Sequence, residues 1–221
     1  MPPSAFTLDR IPPHDMEGIK YLLSEGVSYE DAQDYSLSGC VLQNVTGKSG
    51  TTWPVNLNCG KVLELAMFDG QDPITGIQVG PHTGYLSNFE SYDAFDAAVK
   101  TQMTELCRIC FELVNTMRLH RNTTVPVILG SCLYDDCIRK GTSIDGGGEK
   151  YPINVQYVIP IGIVNLSNSM YAVRRALFED RICTGAELLE AIRANFVGFE
   201  ALRAQLTDIP KFGNDDDGAD Y

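Results

Sequence analysis

One cysteine in this sequence has neighbours that raise a question about its chemistry. Cys40 follows an acidic run in the segment SYEDAQDYSLSGCVLQNVTGKSG. As a nucleophile it would need a base, typically a histidine, to generate its thiolate. The three histidines of the chain lie in no family-specific context: His14, His82 and His120. The sequence therefore disfavours a cysteine hydrolase.

The other cysteines do not predict a metal site. Cys107 and Cys110 have C-x-x-C spacing but lie inside a predicted helix, and neither a second C-x-x-C nor a histidine pair follows. Cysteines three residues apart on a helix are usually packing residues. We therefore predict no metal ion, and core or half-buried thiols at Cys59, Cys132, Cys137 and Cys183.

Radical chemistry is the third possibility for Cys40. A thiyl radical needs neither a lowered pKa nor a neighbouring base. It does need a rigid loop tip in a closed, water-free cavity, because any other hydrogen donor would quench it. Reactive residues on loops held by a stiff scaffold are a common arrangement.

Composition limits the possible partners and compartments. The chain has 221 residues, 29 acidic against 17 basic, and a formal net charge of −12. Nucleic acids and anionic membranes favour basic surfaces, so neither is expected as a partner. No apolar run approaches the roughly 20 residues that span a bilayer, and no secretory signal is visible. We expect a cytoplasmic protein with reduced thiols.

The elements around Cys40 are predicted to be short. A helix from about Asp15 to Glu25 is closed by Gly26, and Ser28 is the predicted N-cap of a second helix through YEDAQDY. A loop that contains Cys40 is expected after Tyr35. The Tyr35 side chain is predicted to pack while its hydroxyl finds a hydrogen-bond partner.

The rest of the chain is predicted to be mainly helical. Helices are expected at 56–70, 93–120, 167–178 and 185–206, and the second has apolar residues at steps of three and four. VPVILGSCLYDDCIRKG is predicted to begin as a short buried strand, and INVQYVIPIGIVN to form another buried or extended segment. No inter-domain linker is visible, so one domain over residues 1–221 is predicted.

Five segments resemble, in order, those of the glycyl radical enzymes related to pyruvate formate-lyase. GVSYEDAQDYSLSGCV resembles the segment that leads into the finger-loop cysteine, and KVLELAMFDG the helix that follows. GPHTGYLSNFESYDAFDAAVKTQM, CIRKGTSIDGGGEKY and PKFGNDDD are similar to later segments. Each match is weak alone, but together they are specific.

This resemblance implies an α/β fold, part of a ten-stranded barrel of the glycyl radical enzyme type and helix-rich in this portion. It implies that Cys40 is the catalytic thiyl residue. A glycyl radical elsewhere in the protein, installed by an activating enzyme that uses S-adenosylmethionine and an iron–sulfur cluster, would generate it. A homodimer and a small-molecule substrate are also implied.

The family's glycine loop, with a pattern like R-V-x-G-Y, is not found in residues 1–221. We therefore expect a partial barrel domain that lacks its N-terminal part and its radical-bearing glycine, holds no cofactor itself and is inactive alone. The alternative is an inactive remnant that serves in binding or assembly.

Two departures from the family bear on the substrate. The family's dehydratases carry a Glu two residues after the cysteine, a general base within about 3 Å of the substrate, where this chain has Leu42. Their His-Asp pair corresponds to Thr52 and Trp53. Leu42 and Trp53 are therefore candidate contacts to an apolar or aromatic substrate, unless both are core residues.

Three reaction types stay open. Fumarate addition to a hydrocarbon is slightly favoured, because the synthases that perform it also lack the Glu. Decarboxylation of an arylacetate is the next possibility, although such decarboxylases generally carry the Glu. The alternative is a dehydratase acting on a diol, choline-type substrate or hydroxyproline, with its base elsewhere.

Overall fold

A computed structural model describes residues 13–38, 42–50, 54–153 and 157–220 of the chain. No helix in these ranges is long and apolar enough to cross a membrane. The described residues divide into two compact units, the first within 1–54 and 113–157 and the second within 55–112 and 158–221. One domain over residues 1–221 stays a prediction.

The first unit begins with two helices. Helix α1 (Pro13–Ser24) and helix α2 (Tyr29–Gln33) follow the predicted pattern. The side chain of Ser28 accepts a hydrogen bond from the backbone N–H of Asp31 at 3.2 Å, which confirms the predicted N-cap. Gly26, with φ of +84°, lets the chain turn between the two helices.

An antiparallel hairpin follows α2. Strands β1 (Tyr35–Ser38) and β2 (Leu42–Val45) pair along their whole length, so the predicted loop is wrong at these residues. The hairpin packs on an apolar core made by α1, α2 and a later segment. Its buried members are Ile19, Leu22, Val27, Ala32, Val45 and Ile153.

The predicted strand at the start of VPVILG is wrong. The chain forms helix α5 (Ile128–Ser131), with helix α6 (Cys137–Lys140) shortly after. Local hydrogen bonds such as Ser131 N–H to Val127 O at 2.9 Å replace strand pairing. Leu129 is 85% exposed, which shows that an apolar run alone does not specify burial.

In the second unit, strand β3 (Pro54–Asn58) pairs with strand β4 (Tyr157–Ile161). Helix α3 (Cys59–Met67) starts directly after β3, where the side chain of Asn58 accepts a hydrogen bond from Lys61 N–H at 3.3 Å. The predicted helix at 56–70 is therefore right for Cys59–Met67 and wrong for the residues on β3.

Helix α4 (Tyr92–Thr124) confirms the predicted long helix. Its first turns bury Phe95 and Val99 in the core of the second unit, and Cys107 and Cys110 pack half-buried against that core. The packing role predicted for this cysteine pair is confirmed.

The second unit ends in shorter helices. Helix α7 (Ile163–Val173) runs into a π-helical turn (Arg174–Glu179), and helix α8 (Gly185–Arg193), helix α9 (Glu200–Asp208) and helix α10 (Asp217–Asp220) follow. The predicted single helix at 185–206 is broken because Asn195 and Phe196 adopt positive φ values of +49° and +60°.

Candidate functional site

The candidate site centres on the β1–β2 hairpin, whose strands lie on either side of Cys40 in sequence. The register pairs Tyr35 with Val45, and the last pair before the strands end is Ser38 with Leu42. Residues 39–41 lie outside the described residues. The catalytic role of Cys40 therefore stays a prediction, and the structure describes the paired strands that precede and follow it in the sequence.

One face of the hairpin packs on the core of the first unit. Val45 is only 1% exposed, and the Tyr35 ring packs against the same core. Gln43 and Tyr35 lie close to α1 at Gly18, where an added Cβ would be 3.1 Å from Gln43 Cγ and 3.5 Å from the Tyr35 ring. This face is fixed by close packing.

The opposite face is mostly polar. Directly paired residues share a face, so Ser36, Leu42 and Asn44 lie together on it. The Ser36 and Thr46 hydroxyls are 2.9 Å apart there. Leu42 is half-buried, and among the described residues the side chains that pack on the core of the first unit do not include it. Its proposed contact with substrate stays a prediction.

Trp53, the second candidate substrate contact, lies outside the described residues together with Thr52. Its proposed role also stays a prediction.

A second anchor of the hairpin is a hydrogen bond to α1. The Tyr35 hydroxyl donates to Asp15 Oδ1 at 2.8 Å, so the predicted partner for this hydroxyl is confirmed. The bond to the carboxylate raises the pKa of Tyr35. Because the phenol body packs on the core while its hydroxyl is bound, the side chain joins β1 to α1 at both ends.

Asp31 is the centre of a buried ionic cluster at the base of the hairpin. Its Oδ1 lies 2.5 Å from Lys48 Nζ and its Oδ2 lies 2.7 Å from Lys150 Nζ. The Tyr151 hydroxyl donates to Oδ2 at 2.6 Å. The hydrogen bonds from Lys150, Lys48 and Tyr151, in that order, hold the pKa of Asp31 well below its usual range. The carboxylate is therefore ionised and a poor proton acceptor.

Backbone contacts reinforce this cluster. Tyr151 N–H donates to Lys48 O at 2.8 Å, and Ser49 pairs with Tyr151 in a parallel bridge. Asp135 N–H donates to Gly47 O at 2.7 Å. The turn after β2 is thus joined to two segments that lie far away in the sequence.

Sequence reasoning missed this cluster. The predicted Ser28 cap concerns only the start of the second helix, and Lys150 and Tyr151 follow a glycine-rich loop. The contacts of Asp31 with Lys150 and Tyr151 span 119 and 120 residues. The DGGGEKY segment carries no residue pattern that indicates its partner.

Five of the six cysteines that the structure describes are buried or half-buried. Cys59 and Cys137 are buried, and Cys107, Cys110 and Cys183 are half-buried. Burial raises the pKa of the Cys59, Cys110, Cys137 and Cys183 thiols, so they remain protonated. Cys132 is exposed, and its predicted burial was wrong. Among the described residues, no group of three or more metal-ligating side chains comes together.

Comparisons with known proteins all match this chain to one protein family. The Pyruvate formate lyase-like family model matches residues 13–221. Trans-4-hydroxy-L-proline dehydratase of Clostridioides difficile is 35% identical over 91% of the chain, and indoleacetate decarboxylase of Tractidigestivibacter scatoligenes is 30% identical over 89%. The matched regions make up 26% and 25% of those two proteins.

A solved structure gives the same result. The glycerol-bound form of the B12-independent glycerol dehydratase of Clostridium butyricum matches with a TM-score of 0.79 and 32% identity. The match covers 93% of this chain and 26% of that one. The predicted fold class, part of an α/β barrel of the glycyl radical enzyme type, is confirmed. The chain spans about a quarter of the length of the relatives that it matches.

Proposed function

Because the chain belongs to the Pyruvate formate lyase-like family, we propose that it is part of a glycyl radical lyase in which Cys40 carries the thiyl radical. The observation that supports this proposal best is the hairpin. Its paired ends, Ser38 and Leu42, flank Cys40, and its base is fixed by the Asp31 cluster. A radical residue needs this kind of positional control more than it needs a base.

In the proposed reaction, the Cys40 thiyl takes a hydrogen atom from a substrate C–H bond, which leaves a thiol and a carbon radical. With a diol, the carbon radical loses the neighbouring hydroxyl group and a proton as water. The product radical then takes the hydrogen atom back from the Cys40 thiol. The thiyl radical is regenerated, so the cycle needs no external oxidant or reductant.

Reactions on apolar substrates also regenerate the Cys40 thiyl radical and need no external oxidant or reductant. In fumarate addition, the carbon radical adds to the fumarate double bond, and the adduct radical recovers the hydrogen atom from Cys40. In arylacetate decarboxylation, carbon dioxide leaves and a proton takes its place. Leu42 supports fumarate addition, because it puts a hydrocarbon side chain where the resemblance implies a carboxylate base in dehydratases and, generally, in arylacetate decarboxylases.

Dehydration is supported at least as well, by a different observation. The hydroxyproline and glycerol dehydratases are among the relatives that match most of the chain at 32% identity or more. In a dehydratase containing this chain, the base would come from a residue other than Leu42. The slight preference for fumarate addition is therefore not maintained, and the substrate class is the question that an experiment must decide.

The decisive experiment uses the complete gene product that carries this chain, activated anaerobically by its radical-activating enzyme. Hydroxyproline, glycerol, indoleacetate, and toluene with fumarate are supplied, and products are measured by mass spectrometry. We expect Cys40→Ser to abolish turnover and to leave the glycyl radical signal intact. Cys132→Ser, a matched change at an exposed cysteine, is expected to retain turnover. Turnover by Cys40→Ser would exclude Cys40 from the mechanism.

The proposed substrate contacts have their own test. If Leu42 and Trp53 form an apolar wall, Leu42→Ser and Trp53→Ala raise KM for indoleacetate or toluene more than for glycerol. Equal KM values in the wild type and in both variants would assign these residues to packing.

The proposed partners follow from the same assignment. They are an activating enzyme that uses S-adenosylmethionine and an iron–sulfur cluster, a small-molecule substrate, and a second copy of the full-length protein. Light scattering of the purified gene product is expected to give the mass of a dimer, and a monomer mass would remove the homodimer from the proposal.

A further inference from the structure

Three side chains contact Asp31 at the base of the hairpin. Asp31 is 6% exposed and receives two ammonium groups and a phenol hydroxyl, from Lys48, Lys150 and Tyr151. The Tyr151 hydroxyl also lies 3.2 Å from Ser28 Oγ, the cap of α2. One carboxylate therefore links α2, the turn after β2 and the segment that follows the glycine-rich loop.

Burial makes this link costly to break. A buried charge is tolerated when it is paired and hydrogen-bonded, and removal of one partner leaves the others uncompensated. Two half-exposed lysines face Asp31, so neutralising it would leave their ammonium groups without the negative charge that compensates both of them. The expected response is a shift of Lys48, and with it the turn that closes β2.

The remaining anchors do not replace this restraint. The Tyr35–Asp15 bond and the close packing at Gly18 fix the hairpin against α1. Neither contact reaches the turn between β2 and Ser49. Within that turn, Gly47 O accepts a hydrogen bond from Asp135 N–H, and Lys48 is bound at two points, through its backbone carbonyl to Tyr151 N–H and through its side chain to Asp31. The Lys48–Asp31 pair is the one of these three contacts that is made by side chains.

We propose that Asp31 is a positioning residue for hydrogen-atom transfer, which holds the base of the β1–β2 hairpin through Lys48 and so restrains the two strands that precede and follow Cys40 in the sequence. This inference rests on the proposed function of Cys40. Misplacement of a reacting group by 1 Å can lower a rate by about 100-fold. A change at Asp31 is therefore expected to slow atom transfer even though Asp31 touches no reacting atom.

The test measures atom transfer without a substrate. The complete gene product is activated and transferred to D₂O, where thiols exchange S–H for S–D. Reversible transfer through Cys40 then replaces the α-hydrogen of the glycyl radical by deuterium. The electron paramagnetic resonance splitting caused by that hydrogen collapses, and the rate of collapse is normalised to radical content.

Asp31→Asn keeps the shape of the side chain and removes its charge. We expect the collapse to slow by tenfold or more. We also expect amides of residues 35–48 to exchange faster in the unactivated protein. The matched control is Asp96→Asn, which breaks an exposed i,i+4 ion pair with Lys100 on α4, and it should behave as wild type in both measurements.

A second variant covers the case in which Asp31→Asn does not accumulate as folded protein. Lys48→Gln removes the tether to the hairpin and leaves Asp31 paired with Lys150 and Tyr151. A slower collapse is again expected.

The outcomes separate the two proposals. The positioning role is overturned if the collapse depends on Cys40 but proceeds at the wild-type rate in Asp31→Asn. Where only Lys48→Gln folds, a wild-type rate in that variant overturns it. In both cases the role of Cys40 is unaffected. Amide exchange equal to that of Asp96→Asn would overturn the positioning role as well. Collapse that is absent from the wild type, or unaffected by Cys40→Ser, would refute the proposed function itself.

Discussion

We expect Val45→Ala to destabilise the hairpin more than Leu37→Ala does, although Leu37→Ala removes more atoms. Val45 is 1% exposed and is the residue of β2 that enters the core of the first unit. Val45→Ala removes two methyl groups, worth about 1.6 kcal/mol at about 0.8 kcal/mol each. The cavity left behind adds about 1 kcal/mol if it measures about 40 Å³.

The total loss, about 2–3 kcal/mol, can be measured as local opening. Since about 1.4 kcal/mol is a tenfold change in an equilibrium constant, protection of the hairpin amides against hydrogen exchange should fall by about 30- to 150-fold. Amides of α4 report on a different part of the chain and should change little. Mass spectrometry of peptides from residues 35–48 and 92–112 provides both values.

Leu37→Ala is the matched control on the partner strand. Leu37 shares the face of Val45 but is 61% exposed, so its truncation removes more atoms and less buried surface. A change of about 0.5 kcal/mol or less is expected, which is about a twofold change in protection. An equal effect of the two variants, or unchanged protection in Val45→Ala, would refute the assignment of the hairpin to this core.

Three further changes test other parts of the chain. The hydrogen bond with His82 lowers the pKa of Asp69, and backbone N–H groups lower it further. Asp69 therefore contributes stability that is present above its ordinary pKa of about 4. That contribution is lost as the pH falls through the pKa of the folded state. Asp69→Asn should therefore lower the thermal midpoint at pH 7, with the difference shrinking on acidification, and a pH-independent difference would contradict this. Gly148→Ala should abolish soluble expression, because the new Cβ overlaps the backbone carbonyl of Thr142. The control is Gly76→Ala, at positive φ in open space, which should cost only about 1 kcal/mol. Equal yields of the two variants would contradict the overlap. Thr184→Ala removes half of the capping box of α8 and should cost about 1 kcal/mol, seen as faster amide exchange in the first turn of α8 and restored by Thr184→Ser.

The elements that the sequence predicts well have a regular pattern over several turns or a local cap. Helix α4 repeats its apolar residues from Phe95 to Met117, which is about six turns. The Ser28 cap depends only on its neighbours. Both predictions are independent of the rest of the fold. The same reasoning correctly expected the Cys107–Cys110 pair to pack.

The errors lie where tertiary contacts override local signals. The four-residue strands of the hairpin contain serine, glutamine and asparagine, and their stability comes from Val45 and from anchors outside the strands. The Asp31 cluster joins residues more than a hundred positions apart. The break after α8 depends on positive φ values at Asn195 and Phe196, residue types that do not demand them.

The protonation state of Asp31 distinguishes the positioning role from acid–base catalysis. A general base must be able to accept a proton near the working pH. The Asp31 carboxylate has its pKa held low by three hydrogen bonds, so it stays ionised when a base would have to be protonated. The consequence is that Asp31→Asn should lower the rate by a similar factor at pH 6 and pH 8. An ionisation that is present in the pH–rate profile of the wild type and lost in Asp31→Asn would show instead that the carboxylate handles a proton. Asp31 would then have to be assigned a chemical role as well as a positional one.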